Sequence, residues 1–355
     1  MSYEYVGNLH CHTTYSDGWG THNEIAAAAM RAGLEFVVVT DHNVLVKGAD
    51  GYRYRDDKRI LLLTGEEVHD QTRHPQKNHL LVYETGEELA HLAADPQKLI
   101  DGVNRNDGCC FLAHPVDPSA PLFGEDDLSW VSWEVEGYTG LEIWNFMTEF
   151  KSTLTSWPRA IYYAYRPEHI ATGPFPETLA RWDQMLAAGR RVFAIGGSDA
   201  HAMPMRKGPL KRTIFPYEFL FQAVNTHVLT SDPLSGDPDL DRRRLFLSIK
   251  RGRCFVGYDL PASTKGFRFT AASDSGQAEM GGTIRPQFGV SLQIHTPVRC
   301  RIRLLRDGEL VREWEDRDQA VETTRRPGAY RVEAYLDFHG KERTWIISNP
   351  IFIQG

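Results

Sequence analysis

Seven short apolar runs lie in the stretch up to about residue 200, and they constrain the fold more than any other feature of the chain. They are Tyr3–Asn8, Phe36–Thr40 (FVVVT), Ile60–Thr64 (ILLLT), His79–Tyr83 (HLLVY), Cys110–Ala113 (CFLA), Leu141–Trp144 (LEIW) and Val192–Ile195 (VFAI). Each is too short for a helix, and most are continuously apolar rather than alternating, as strands buried on both faces are. Helix-like stretches separate several of them. Asn23–Ala32 is alanine-rich and closes at Gly33, and Glu87–Asn104 and Thr178–Ala188 read as helical. Strands buried on both faces and alternating with helices predict a largely parallel sheet in an α/β fold, either open or closed into a distorted barrel.

The texture then changes. Residues 202–240 are rich in proline and glycine and carry the basic run Met205–Arg212 (MRKGPLKR). A helix near Asp241–Lys250 and a strand near Cys254–Tyr258 follow. From about residue 266, Phe267–Ala271, Phe288–His295, Arg301–Arg306, Gly328–Phe338 and Thr344–Ile353 alternate apolar and polar residues, with a hairpin signal at Asp307-Gly308. Short strands without helices predict a small antiparallel β-sandwich. The expected division is an α/β domain over 1–260 and a β-sandwich over 266–355, the latter a packing or oligomerisation module.

Fourteen histidines are the next constraint, because six of them fall in a pattern. His10 and His12 follow the first run as His-x-His, a spacing that points both imidazoles to one face of an extended segment. Asp17 follows in Tyr-Ser-Asp-Gly. His42 ends the second run, Glu67 follows the third, His79 opens the fourth and His114 closes the fifth. Asp199 and His201 close the last, again two apart. The C-terminal rim of a parallel sheet or barrel is where ligands gather, and a His/carboxylate set there suits Zn, Fe or Mn rather than Mg or Ca. The other eight histidines have no such placement and read as ordinary polar residues.

In order and spacing these residues resemble the polymerase and histidinol phosphatase (PHP) family of metal-dependent phosphoesterases. The matching pieces are His-x-His with Ser-Asp-Gly at 10–18, Thr-Asp-His at 40–42, Gly-x-Glu at 65–67, His79, Ala-His-Pro at 113–115 and Ser-Asp-Ala-His at 198–201. The resemblance spans roughly residues 4–205 and leaves the C-terminal strands uncovered. It implies a distorted (β/α)7 barrel whose rim holds two or three divalent ions, Zn, Mn or Fe. It places His10, His12, Glu67 and Asp199 on one ion, a bridging Glu67 with His79 and His114 on a second, and Asp17, His42 and His201 on a third. Glu66 competes with Glu67 on residue type alone, and the family pattern favours Glu67.

The activity this implies is hydrolysis of a phosphate ester by a metal-bridging hydroxide. Glu67 would bridge, Asp199 would orient or deprotonate the water, and His201 would assist the leaving oxygen. Asp41 would fix an imidazole's tautomer or serve as a turn residue. Arg206, Lys207, Lys211 and Arg212 could clamp a phosphate, and Asn145 could touch substrate. A net charge of −7 without a basic stripe argues against long nucleic acids and membranes as partners, so a small nucleotide or sugar phosphate is expected. The irregular spacing of five cysteines and the absence of a signal-like N-terminus suggest a reduced, cytoplasmic protein. Two other readings compete: a metal-dependent hydrolase of a C–N or other non-phosphate bond, and a non-catalytic, metal-stabilised binding module.

Overall fold

The computed structural model describes residues 2–208 and 210–355, apart from the side chains of Lys207 and Leu210. It is a mixed α/β fold. The first element is β1 (Tyr3–Asn8), followed by α1 (His22–Ala32), β2 (Phe36–Val39), β3 (Gly51–Arg55), β4 (Lys58–Thr64), β5 (Glu66–Val68) and β6 (Leu80–Tyr83). Next come α2 (Pro96–Arg105), β7 (Cys109–Leu112), β8 (Gly140–Asn145), α3 (Phe146–Ser152), α4 (Trp157–Tyr165), α5 (Pro176–Ala187) and β9 (Phe193–Gly197). The hairpin β10 (Met203–Lys207) and β11 (Leu210–Ile214) leads through α6 (Tyr217–Leu220) to β12 (Val224–Thr230), α7 (Pro238–Lys250) and β13 (Cys254–Tyr258).

One sheet runs β13-β12-β1-β2-β4-β3 through this region, and a second runs β5-β6-β7-β8-β9. Two parallel bridges join them, Cys11 to Ala200 beyond β1 and β9, and His42 to Glu67 beyond β2. The strands β1, β2, β4/β5, β6, β7, β8 and β9 thus form a ring of neighbours. β1–β2, β2–β4, β7–β8 and β8–β9 pair in parallel, whereas β6 is antiparallel to both β5 and β7. The sheet is thus largely parallel as expected, with β6 the reversed strand. That reversal explains why His79 precedes its strand while the other site residues follow theirs: all occupy the same rim.

Side-chain alternation divides the core. Phe36 and Val38 pack with Leu9, Leu61, Leu63, Tyr83, Phe111 and Ile195 in one cluster, while Val37, Val39 and Leu62 face α1 in another. Leu245, Phe246 and Ile249 of α7 join the first cluster, and Phe246 stacks on Tyr83 at 5.3 Å. At 25 cal/mol per Å² of apolar surface removed from water, each such fully buried side chain contributes about 2 kcal/mol. Helix α1 starts at a capping box between Thr21 and Glu24 and ends at Gly33, whose left-handed φ of 87° satisfies the last carbonyls.

The region after residue 202 departs from its sequence reading. The basic run is a β-hairpin rather than a loop, and VNTHVLT is a buried strand, β12, whose mixed polar composition hid it. The stretch Glu87–Asn104 is helical mainly over α2. The C-terminal strands are β14 (Arg268–Ser273), β15 (Gly276–Glu279), β16 (Thr283–Ile284), β17 (Val290–Arg306), β18 (Glu309–Thr324), β19 (Gly328–Phe338), β20 (Lys341–Ser348) and β21 (Ile351–Ile353). β17 fuses two segments that the pattern separates, with its register slipping between His295 and Cys300, and β18 is a long, mostly exposed strand. β17 and β18 turn at Asp307-Gly308, both at positive φ as the hairpin signal requires. β20 pairs with β13, so the sheet passes from the α/β region into these strands. Among the described residues, no helix is long and apolar enough to cross a membrane.

Candidate metal centre

Backbone ladders place the first three ligand candidates. The Asp199 amide donates to the His10 carbonyl and the His12 amide to the Ala200 carbonyl, both at 2.9 Å, so the ends of β1 and β9 run side by side. The Tyr217 hydroxyl donates to the His12 carbonyl (2.7 Å), and the Gly20 amide donates to that hydroxyl (3.1 Å). A Cβ on Gly18 would lie 2.2 Å from the His12 carbonyl oxygen, so only glycine permits this closed loop. Asp41 accepts from the Thr13 amide and hydroxyl at 2.7 and 2.6 Å and from the Ser16 hydroxyl at 2.7 Å. Asp41 therefore shapes the loop that carries Asp17, rather than bonding an imidazole.

Glu67 is the hub. Its Oε2 lies 2.9 Å from His10 Nε2, 3.1 Å from His12 Nε2 and 3.4 Å from His42 Nδ1. Its Oε1 lies 2.8 Å from His79 Nδ1 and 2.9 Å from His114 Nε2. Glu66 points away and accepts the Leu89 amide, and burial raises its carboxyl to about 7. Asp199 Oδ1 is 3.1 Å from His12 Nε2 and 3.4 Å from His10 Nε2. Nearer solvent, Asp17 lies 3.1 Å from His201 Nε2 and 3.6 Å from His42 Nε2. All nine residues singled out from the sequence thus converge on one rim.

The grouping differs in detail from the expected one. Ligand atoms of His10, His12, Glu67 and Asp199 lie close enough for one ion, as do those of His42, Glu67 and His79, and those of His12, Asp17, His42 and His201. His114 shares Glu67 Oε1 with His79.

The electrostatics are those of a cluster built around positive charge. Burial opposes charge on His12, yet Asp199 and Glu67 raise its imidazole to about 10. Against the same burial, Glu67 and Asp117 raise His114 to about 9, and Glu142, Asp199 and Glu67 push His10 well above the usual imidazole range. Despite burial, the imidazoles around them hold Glu67 and Asp199 well below the carboxylate range. His42 goes the other way, because burial, with His12 and His79 beside it, outweighs Glu67. Both nitrogens of His12, His42 Nδ1, His79 Nε2, His114 Nδ1 and Asp199 Oδ1 are buried without a hydrogen-bond partner among the described residues. Glu67 hydrogen-bonds His10, His79 and His114, but a cation would satisfy the remaining buried lone pairs, among them His12 Nε2 and Asp199 Oδ1 at 3.1 Å from each other, so the residues present fit divalent metal ions. His114 and Asp199 also sit at left-handed φ of 28° and 56°, backbone strain of the kind that gathers at functional sites.

Four residues that the sequence reading left out belong to the site. Glu142, buried inside β8, accepts from His10 Nδ1 (2.9 Å), the His114 amide (3.0 Å) and Asn145 Nδ2 (3.0 Å). Its signal was a lone acid within an apolar run, which burial requires to be paired. His69 stacks on His79 at 4.3 Å and meets His42 edge-on at 5.0 Å, and burial beside His79 lowers its imidazole to about 4. The spacing Glu67-x-His69 repeats the pattern of the other pairs. Asp117 and Lys151 form an ion pair of 3.0 Å beside His114 and carried no comparable signal.

Among the substrate candidates, Arg206 and Arg212 line a cleft of about 770 Å³ that opens from the metal rim. Arg212 also bonds the Ala164 carbonyl and covers the Tyr165 ring at 4.5 Å, tying the hairpin to α4. Lys211 is exposed, and the Lys207 side chain lies outside the described residues. Asn145 is buried. It caps α3 through the Thr148 amide and donates to Asp199 at 3.3 Å, so it steadies a ligand candidate instead of lining the cleft.

Residues 8–95 match the family model of the PHP domain, so the chain carries that family's signature across its first ligand candidates. His114, Asp199 and His201 lie beyond the matched segment and join it through the geometry above. A two-domain Bacteroides vulgatus protein, described as containing a PHP-like metal-dependent phosphoesterase, is 16% identical, with 98% of this chain and 95% of that one covered and a TM-score of 0.45. A Bifidobacterium adolescentis protein, described as a metal-dependent phosphoesterase, is 18% identical over 57% of this chain and 91% of its own, with a TM-score of 0.35. No curated protein matches the chain.

Proposed function

We propose that this protein is a metal-dependent phosphoesterase whose ring of seven strands is the distorted (β/α)7 barrel of the PHP type. The convergence of five imidazoles on the two oxygens of one buried carboxylate, Glu67, carries the reading. His10, His12, Glu67, Asp199, His42, His79 and His114 would hold two divalent ions, Zn, Mn or Fe, and Asp17, His42 and His201 a third. When bound, such ions lower the pKa of water and neutralise phosphoryl charge.

The chain's own residues do the rest. Asp199, held by the Asn145 amide, would orient the attacking water, and His201, beside Asp17 at the outer part of the rim, would assist the leaving oxygen. Arg206 stands at the cleft where the ester's charge arrives. We assign the 1–260 unit to catalysis and 266–355, as an appended β-sandwich, to packing or assembly. The five buried free cysteines suit a reducing compartment, the cytoplasm, and the net charge of −7 suits a small substrate better than a long polyanion.

The test is a panel of phosphate monoesters and diesters offered to metal-loaded protein, with His12→Ala and Asp199→Ala alongside. Turnover inhibited by inorganic phosphate, and reduced by roughly 10³-fold or more in both folded variants, is expected. Full turnover and full metal content in either variant would overturn the assignment.

A further inference from the structure

The wall of the cleft away from the metal rim is mostly carbon and thioether surface, broken by Glu125, Arg206 and Arg212. It comes from the turn at 121–123, α3 and the residues after it, α4 and the β10–β11 hairpin, with Phe123, Phe150, Leu154, Trp157, Ile161 and Met205 among its lining residues. Helix α4 has the sequence WPRAIYYAY, yet none of its residues is buried. Ile161, Tyr165, Met203 and Met205 are exposed around the mouth. Tyr163 and Ala164 pack against the core, but the exposed Ile161 and Tyr165 on the same helix, set against a hairpin with two exposed methionines, are not explained by it. Most charged lining groups lie at the rim end, namely Asp17, Glu67, Asp117, Lys151, Asp199 and His201, while Glu125, Arg206 and Arg212 stand farther out, Arg212 over the Tyr165 ring. The cleft is therefore bipolar: its charged end coincides with the candidate metal centre, and its apolar end is continuous with it.

We propose that this apolar end takes the alcohol part of the substrate, so that the ester hydrolysed is the phosphate of a large apolar alcohol and not of a sugar or nucleoside. The inference rests on the phosphoesterase reading and narrows its substrate class. In the reaction, the P–O bond to the alcohol breaks and a water oxygen forms the new bond to phosphorus. One water proton goes to the departing alkoxide and gives R–OH, while the other stays with the inorganic phosphate. Sugar hydroxyls would lose their water against the apolar part of this wall, where few groups could replace it, a cost that an alkyl or aryl chain avoids. The methionines and the long apolar side chains adapt to chains of different shape.

The probes are ethyl, butyl and octyl phosphate and a hexose phosphate, each below its micellar concentration, with metal-loaded protein. KM should fall roughly threefold to fourfold per added methylene until the cleft is filled, the fold-change that corresponds to burying one CH₂. Ile161→Asp and Met205→Asp, both at exposed positions, should flatten that slope. Calorimetric binding of the same compounds separates the two readings. If no ester is turned over but octyl phosphate still binds with the same slope, the cleft assignment holds and the phosphoesterase reading falls. Turnover without a chain-length slope, or a preference for the hexose phosphate, overturns the cleft assignment. Self-association abolished by Ile161→Asp would then assign the face to a second copy of the chain, and capture by phosphatidylcholine vesicles would assign it to a membrane surface.

Discussion

Glu142→Gln removes one charge and changes no shape, and its consequence follows from three hydrogen bonds. Oε2 of Glu142 accepts from the His114 amide and from Asn145 Nδ2, both at 3.0 Å, while Oε1 accepts from His10 Nδ1 at 2.9 Å. A glutamine keeps its oxygen where two donors converge, because the opposite flip would bring its NH₂ against both. The NH₂ group then faces His10 Nδ1. If His10 keeps its proton on Nδ1, two donors are buried against each other. If the proton moves to Nε2, Nδ1 can accept from the glutamine, but Nε2 no longer offers a lone pair toward Glu67 and Asp199. The metal-free chain takes the second form, with Nε2–H donating to Glu67 at 2.9 Å, so metal binding must restore the first and leave a buried donor unsatisfied, a cost of about 1–3 kcal/mol. That corresponds to a loss of roughly 10- to 100-fold in metal affinity, the range found when the hydrogen-bonding support of a ligating histidine is removed.

The assay is metal content after equilibration in metal buffers spanning several decades of free ion, with turnover measured on the same samples. Saturating metal should restore most of the turnover in Glu142→Gln but little in Asp199→Ala, since the first displaces a tautomer and the second deletes a ligand candidate. An unchanged metal-binding curve in Glu142→Gln would refute the claim that Glu142 sets the tautomer of His10.

Other perturbations read neighbouring parts of the structure. A Cβ at Gly197 would lie 2.6 Å from Glu142 Oε1 and 2.8 Å from His10 Cβ, so Gly197→Ala should reduce metal occupancy at least tenfold while circular dichroism stays native, and full occupancy would count against the packing described. Removing divalent ions with a chelator should lower the melting temperature by several degrees, reversibly on re-addition, because ions that bind only the folded chain stabilise it. A melting temperature indifferent to the chelator would argue that the cluster is self-sufficient. A pH effect is expected from His227, which bonds Glu4 at 2.9 Å and Thr264 at 2.7 Å. Against its burial, Asp259 and Glu4 raise the imidazole to about 9, and His227, overcoming burial in turn, lowers Asp259 to about 2. The histidine's contribution is complete below about pH 6.5 and lost as pH rises through about 9, and the Asp259 contribution is lost as pH falls from about 4 through about 2. Urea midpoints of His227→Gln relative to the unmodified protein should therefore differ most near pH 5–6 and converge above pH 9, and a constant difference across that range would sink the linkage.

The sequence made some parts of this molecule legible and hid others, for physical reasons. His10, His12, Asp199 and His201 were readable because a ligand set at the end of a strand is local: two residues with the i, i+2 spacing share a face before any tertiary contact is known. His79 was readable with the rim through the pattern as a whole, but only the reversal of β6 explains how a residue at the start of its strand comes to lie beside the ends of the others. Glu142 and the Asp117–Lys151 pair act through contacts between elements far apart in sequence, and no spacing encodes these. β12 escaped because VNTHVLT places asparagine, threonine and histidine inside the protein, where Asn8, Gly196, Glu4 and Thr264 supply their partners. The basic run before it looked like a solvated loop, since nothing in MRKGPLKR indicates that Arg212 packs on Tyr165.

These differences divide the site between two kinds of structure. The ligand candidates stand at the ends of strands whose interiors are fully buried, and their polar atoms are fixed by ladders such as His10–Asp199 and by the loop clamp at Asp41. The apolar wall is built from connections, α3 and α4 after β8 and the hairpin after β9, with most of its side chains reaching solvent. Strand ends set positions to within a fraction of an ångström, which metal coordination demands, whereas connections tolerate substitution without loss of the core. Chemistry and selectivity should therefore separate under mutation. Changes at the rim should remove turnover for every ester alike, and changes in α4 or the hairpin should reorder esters by the size of their apolar group while the metal remains bound.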